Sequence, residues 1–123
     1  MTAPRVLIVD DNELNLELAS FLLTTNGLNV ATAHDAVSAQ DQVATFRPDL
    51  VLMDIQLPQV DGLEITRRLR ADPATQGLII IAFTAYSMKG DEAKMLAAGC
   101  DGYISKPIDV ANFAAHVRAH LPG

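Results

Sequence analysis

Cysteine is almost absent. The single Cys100 excludes an intramolecular disulfide and a cysteine-rich zinc site, and it fits a reducing compartment. Basic residues are scarce as well: nine Lys and Arg against fifteen Asp and Glu leave a formal net charge of −6 and a pI near 4.8. That balance disfavours non-specific nucleic-acid binding, which needs a basic surface, and equally a polybasic membrane anchor. Long hydrophobic runs are missing. The first apolar run, Val6 to Val9, ends at Asp10 and is too short for a signal peptide. The longest, Leu78 to Phe83, is six residues, against the roughly 18 a membrane span needs. No linker, low-complexity stretch or internal repeat interrupts the chain, and Gly and Pro sit singly as punctuation. What is present is 123 residues, half of them hydrophobic and a fifth charged. These suffice for one domain, residues 1–123 with a core from about 5 to 121, expected to be soluble and cytoplasmic.

Short apolar runs alternate with amphipathic stretches. Arg5 to Val9 reads as a strand, continuous rather than alternating, and therefore buried on both faces. Asn12 is a plausible N-cap for a helix whose stripe is Leu14, Leu18 and Leu22, with Ala19 and Leu23, ending at Gly27. Val30 to Ala33 is a short strand. Ala36, Ala39, Val43 and Phe46 make a second helical stripe, stopped by Pro48. Leu50 to Met53 is again a doubly buried strand, followed by a helix from Gly62 to Arg70 with Ile65 and Leu69 inward. Leu78 to Phe83 is the fourth strand, and Asp91 to Ala98 a helix closed by Gly99. Tyr103 to Ser105 is the fifth strand. The last helix runs from Asp109, with Val110, Phe113, Val117 and Leu121 at helical spacing. Five strands alternating with five helices imply an α/β fold, a doubly wound parallel sheet built by right-handed crossovers. Periodicity leaves the strand order open, but a doubly wound sheet places its ligand crevice at the carboxyl ends of the strands.

The first strand ends in Asp10-Asp11, the third in Asp54, the fourth in Thr84 and the fifth in Lys106; the second offers only His34 and Asp35. If the first and third strands are neighbours, three carboxylates converge. At about 4 Å and an effective dielectric near 20, each close pair would repel by roughly 4 kcal/mol. Something positive is expected there. Lys106 supplies one charge and a divalent cation the rest. An all-oxygen, water-accessible cluster suits Mg²⁺ (or Mn²⁺) rather than zinc. Such a site supports phosphoryl transfer to a carboxylate, with an Asp as nucleophile forming an aspartyl phosphate. The cation and Lys106 would neutralise the equatorial oxygens, and Thr84 would donate to one of them. Asp54 is the nucleophile candidate because it stands alone after the strand expected to be central, leaving Asp10 and Asp11 for the metal.

Each piece taken singly has a plainer explanation. An Asp pair before a helix is commonly an N-cap, a lone Asp before a loop a turn residue, a strand-end Thr mere β-propensity, and an exposed Lys a solvated charge. Those explanations leave the coincidence unaccounted for: four strands deliver the required residue types to one edge of one sheet.

Taken in order, Val6 to Asn12 with its Asp10-Asp11 pair, Pro48 to Asp54, Leu57 to Gly62, Thr84-Ala85 and Tyr103 to Pro107 resemble the response-regulator receiver domain. This is the CheY-like fold of bacterial two-component signalling, and the resemblance runs from about Arg5 to Leu121. Within the family, Asn12 to Asn15, Met88 to Glu92 and Gly99-Cys100 are similar to the DivK-like single-domain regulators of cell division and polarity. The resemblance implies a flavodoxin-like sheet in the order 2-1-3-4-5 and phosphorylation of Asp54 from a phosphohistidine, supplied by a sensor histidine kinase or a histidine phosphotransferase. It further implies that Asp11, Asp54 and the backbone carbonyl of Gln56 ligate Mg²⁺ directly and Asp10 largely through water. Lys106 would contact the phosphoryl group, and the Lys106–Pro107 bond would be cis. Thr84 and Tyr103 would be a switch pair remodelling the face made by the fourth helix, fifth strand and fifth helix, where a downstream protein binds. Gln56 and Tyr86 would tune the lifetime of the phosphorylated state. The chain would be a monomer or weak homodimer that catalyses at most its own phosphorylation and dephosphorylation.

Other residues read as structural. His34, His116 and His120 are scattered without ligand spacing; Cys100 is a small buried turn residue; Met53 and Met95 fill core; Arg67, Arg68 and Arg70 form the wet face of their helix. Leu14 and Leu18 read as core, although an exposed apolar patch there would be informative, since receiver domains dock the phosphodonor's helices beside the site. Three competing functions bear weighing. A haloacid-dehalogenase-type phosphatase needs Asp-x-Asp after the first strand, not adjacent Asp10 and Asp11. A flavodoxin-like flavin carrier would have its phosphate repelled by the same pair. The chain could also be a receiver excised from a hybrid histidine kinase; Met1 and the short tails lean towards a stand-alone switch with no output domain.

Overall fold

The structure, a computed structural model, describes residues 3–57, 61–85 and 89–121. Five strands and five helices alternate: β1 (Arg5–Val9), α1 (Glu13–Thr25), β2 (Asn29–Ala33), α2 (Ala36–Phe46), β3 (Leu50–Asp54), α3 (Gly62–Ala71), β4 (Ile79–Thr84), α4 (Lys89–Ala98), β5 (Gly102–Ser105) and α5 (Phe113–His120). The sheet is parallel throughout, in the order β2-β1-β3-β4-β5. Among the described residues no helix is long and apolar enough to cross a membrane.

The continuous apolar runs behave as doubly buried strands because successive side chains leave a strand on opposite faces. Val6, Ile8, Leu50, Leu52, Ile81 and Phe83 pack beneath α1 and α5. Leu7, Val9, Val51, Met53, Ile80 and Ala82 pack on the other face, beneath α2, α3 and α4. Met53 and Met95 both lie in that second core. Two half-cores of this kind need every inner strand apolar at every position, which is why alternation is absent there.

Two helices depart from the sequence expectation. On α1 the inward residues are Leu16, Ala19, Leu22 and Leu23, whereas Leu14 is 75% and Phe21 65% exposed and Leu18 also faces out. At about 100° per residue, the buried arc runs from Leu22 through Ala19 and Leu23 to Leu16. Leu14, Leu18 and Phe21 lie beyond its Leu22 edge, on a second apolar face that no element covers among the described residues. The last helix begins at Phe113, not just after Asp109. Asp109 instead closes a turn: its carboxylate accepts the Ala111 backbone N–H and the Asn112 side chain, competing with helical bonding as Asp does. Val110 is therefore exposed rather than on the inward stripe. Asn12 caps α1 by accepting the Asn15 N–H at 3.1 Å.

Arg70 is also not on the wet face. Arg67 and Arg68 share Glu64 on the helix surface, but Arg70 donates to the carbonyls of Gly99, Gln76 and Leu78 and pairs with Asp101 at 2.8 Å. It ties α3 to the segment entering β4 and to the turn entering β5. Cys100 is buried beside it. Burial pushes the Cys100 thiol above its ordinary value, against opposing pulls from Thr66 and Arg70. The folded state therefore favours the protonated thiol; this contribution is present below the unfolded thiol pKa and is lost as pH rises above it. Iodoacetamide at mildly alkaline pH is expected to alkylate Cys100 at least about tenfold more slowly in the native protein than in concentrated urea. Equal rates would mean that the thiol is accessible.

Candidate functional site

The carboxyl ends of β1 and β3 lie side by side, since Val9 pairs with Met53 in register. The next residues along, Asp10 and Asp54, therefore arrive together, and both are buried. Asp11 stands exposed beside them. One carboxylate oxygen from each of Asp10, Asp11 and Asp54 can be chosen so that all lie within 4.8 Å of one another. Lys106, just past β5, bridges the two buried acids: its Nζ is 2.9 Å from Asp10 Oδ2 and 3.2 Å from Asp54 Oδ2. It reaches them over the ring of Phe83, 5.0 Å from the centroid, a cation–π contact that favours the ammonium there. The Lys106–Pro107 bond is cis.

Local backbone donors complete the arrangement. Asp10 Oδ1 accepts the Asn12 N–H at 2.9 Å, and Asp10 Oδ2 the Asn15 side-chain amide at 3.3 Å. Asp54 Oδ1 accepts the Gln56 N–H at 2.9 Å. The Asn12 and Gln56 contacts are Asx turns, in which a carboxylate bonds the backbone amide two residues on. Thr84 is buried at the end of β4, level with Ser105 of β5, and its carbonyl accepts the Lys106 N–H at 2.7 Å. Tyr103 on β5 is 40% exposed. Tyr86 lies outside the described residues, as do Pro58, Gln59, Val60 and Met88 of the quoted motifs.

The charges are unbalanced. Burial raises the Asp54 carboxyl above its ordinary value; the Gln56 N–H and Lys106 pull it down and Asp10 pushes it up, with the net shift upward. For Lys106, burial is the largest single influence and pulls downward. The Asp10 hydrogen bond and the charges of Asp54 and Asp10 outweigh it, so the ammonium sits above its ordinary value. Among the described residues, one ammonium faces three carboxylates, and all the clustered donors are oxygens. That donor set fits a hard dication of the Mg²⁺ or Mn²⁺ type and does not fit zinc.

The receiver-family reading is decided by comparison. The model of the response regulator receiver domain matches residues 6–118. The chain belongs to the response regulator receiver family. It is thus a receiver domain of two-component signalling, with a CheY-like fold and DivK-like in sequence. The polar-differentiation response regulator DivK of Brucella anthropi is 44% identical over 116 residues, 94% of each chain. A putative response regulator from Chloroflexus aurantiacus has a TM-score of 0.89 at 28% identity, covering 96% of this chain and 97% of its own. The chemotaxis response regulator CheY4 of Vibrio cholerae, at 24% identity, shares the fold with a TM-score of 0.92 over 98% of this chain and 100% of its own.

Three neighbours of the acids leave little trace in the sequence. Asn15 touches Asp10 from the first turn of α1, a contact whose only sequence trace is its spacing of five residues. Phe83 underlies Lys106 although it reads as plain core. Gly62 abuts the backbone of Asp54, which nothing in the sequence distinguishes from an ordinary turn glycine. The histidines take no part: His34 pairs with Asp35 at the surface, 3.4 Å away.

Proposed function

We propose that this receiver domain accepts a phosphoryl group on Asp54 from a phosphohistidine of a sensor histidine kinase or a histidine phosphotransferase. A bond forms between an Asp54 carboxylate oxygen and phosphorus as the phosphorus–nitrogen bond of the donor breaks, leaving the imidazole with the electron pair. The observation that carries this reading is the bridging of Asp10 and Asp54 by one Lys106 beside an exposed Asp11. Asp10, Asp11 and Asp54, with the Gln56 carbonyl, would hold Mg²⁺ (or Mn²⁺), Asp10 largely through water. When bound, the cation supplies positive charge to the phosphoryl oxygens. Lys106 is already placed to move from carboxylate to phosphoryl oxygen, and the Gln56 N–H holds the orientation of Asp54.

Thr84 and Tyr103 form the switch, with Gln56 and Tyr86 setting the lifetime of the product. The exposed Leu96, Tyr103 and Val110 mark an output face over α4, β5 and α5 for a downstream protein, with neither nucleic acid nor membrane as target. The exposed Leu14, Leu18 and Phe21 on α1 supply the apolar patch that a phosphodonor's helices would cover. The chain acts in the cytoplasm as a monomer or weak dimer, a switch rather than an enzyme for other substrates.

Intact mass after incubation with acetyl phosphate tests this, with and without Mg²⁺ and beside Asp54→Asn. One Mg²⁺-dependent phosphoryl adduct, absent from Asp54→Asn, is expected. An adduct that persists in the variant would move the nucleophile off Asp54. If acetyl phosphate gives no adduct, the same comparison is made with a phosphorylated histidine phosphotransferase. A folded, Mg²⁺-binding protein unmodified by either donor would overturn the reading.

A further inference from the structure

At the opposite end of the sheet from the acids, α2 and α3 part over a cavity of about 650 Å³. That is within the range typical of small-molecule sites. Its apolar side is made by core residues, Val43 of α2 and Ile65 and Leu69 of α3. Arg47 and Arg68 also line it. Such a lining joins an oily floor to cationic groups, on a chain with only nine Lys and Arg against fifteen acids.

The cations are not used up by the fold. Arg47 makes no ion pair with any described residue, and it occupies the left-handed C-cap position of α2 at φ 53°, where Gly or Asn is the ordinary choice. Arg68 is 3.6 Å from Glu64, but that carboxylate also serves Arg67 at 3.3 Å. One acid thus covers two guanidinium groups. The cavity's own acid, Asp72, accepts the Ala74 N–H at 2.9 Å in its local turn. Thr75 is turned to the Leu69 carbonyl at 2.6 Å. Counting Arg47, Arg67 and Arg68 against Glu64 and Asp72, a positive charge remains over an apolar floor.

We propose that the α2–α3 cavity binds a small organic anion, a carboxylate or phosphate ester carrying an aromatic or short acyl body. The body would lie on Val43 and Leu69 and the anion would meet Arg47 and Arg68. The guanidinium fork suits the planar or tetrahedral oxyanion. The site is remote from Asp54 and does not depend on the phosphorylation chemistry. A ligand here would bridge α2 to α3, whose first residue abuts the phosphoacceptor strand.

The probe is anilinonaphthalene sulfonate, an aromatic body with one anion, compared with its uncharged analogue phenylnaphthylamine. Fluorescence titration of the native protein is expected to show saturable one-to-one binding of the anion. The neutral analogue, and the Arg47→Ala/Arg68→Ala variant, should each be weaker by about tenfold or more. Ala44→Trp, which fills the cavity without changing charge, should abolish binding while circular dichroism stays native. Octanoate and phenyl phosphate should displace the probe, separating acyl carboxylate from phosphate ester as the preferred class. No saturable binding, equal binding of the neutral analogue, or indifference to both variants would overturn the proposal. Displacement only by an acidic, aromatic-rich peptide would do so too, because it would reassign the cavity to a protein partner.

Discussion

Gly62→Ala is expected to lower the unfolding free energy by about 3 kcal/mol and to slow phosphoryl acceptance. A Cβ at this position would stand 2.1 Å from the Asp54 carbonyl oxygen, 2.9 Å from its carbonyl carbon and 2.9 Å from the Ile55 Cα. All three are backbone atoms, so no side chain can swing aside. Gly62 opens α3 and its N–H donates to the Ile55 carbonyl at 3.2 Å. Relief therefore requires either α3 to lift from the sheet or the end of β3 to shift, and the latter displaces Asp54 itself. The requirement is for space, since Gly62 has no left-handed φ. Gly77→Ala is the control: nothing lies within 4 Å of a Cβ there, and it should be neutral or stabilising by up to about 1 kcal/mol. Urea midpoints of the two variants decide the matter. Equal midpoints would refute the contact.

Lys106→Met and Asp54→Asn should move stability in opposite directions. Methionine keeps the stem over Phe83 but leaves Asp10 and Asp54, both buried, without their cation. Removing one partner of a buried pair costs about 3 kcal/mol. Asp54 has a carboxyl raised by burial, so it binds its proton more tightly folded than unfolded. Its contribution to stability is present below the unfolded carboxyl pKa of about 3.9 and is lost as pH rises through the folded pKa. The Lys106→Met deficit should consequently shrink on acidification, as Asp54 neutralises. Asp54→Asn, by contrast, removes a buried charge and should stabilise at neutral pH, with the gain fading towards the unfolded carboxyl pKa. Urea denaturation across pH measures both. A Lys106→Met deficit independent of pH would show that packing, and not charge, is what Lys106 provides. In phosphorylation by acetyl phosphate, the same variant should be slower by about 10²-fold, the loss of one preorganised positive group.

The α1 stripe shows where sequence reading reaches its limit. Leu14, Leu16, Leu18, Phe21, Leu22 and Leu23 are all apolar, so the pattern offers more than one candidate inward face. Only the position of β1 and α5 selects Leu16, Ala19, Leu22 and Leu23. Arg70 is a similar case: three arginines in four residues look alike, yet only one stands where the Gly99 and Leu78 carbonyls converge. The start of α5 is ambiguous in the sequence because Asp109 can either cap a helix or close a turn, and both leave the same sequence trace.

Much is nonetheless determined by local sequence alone. Uninterrupted apolar strands alternating with amphipathic helices can only bury both sheet faces, which makes the parallel doubly wound class a consequence of local pattern. Strand ends then carry Asp10, Asp11, Asp54, Thr84 and Lys106 to one edge whatever the order. The tertiary structure decided what distance alone can decide: that β1 lies against β3, so that Asp10 and Asp54 share Lys106. It also placed Gly62 against Asp54, and it left Arg47 and Arg68 beside a cavity. These are contacts between residues far apart in the chain, created when strands and helices pack, and no local periodicity encodes them.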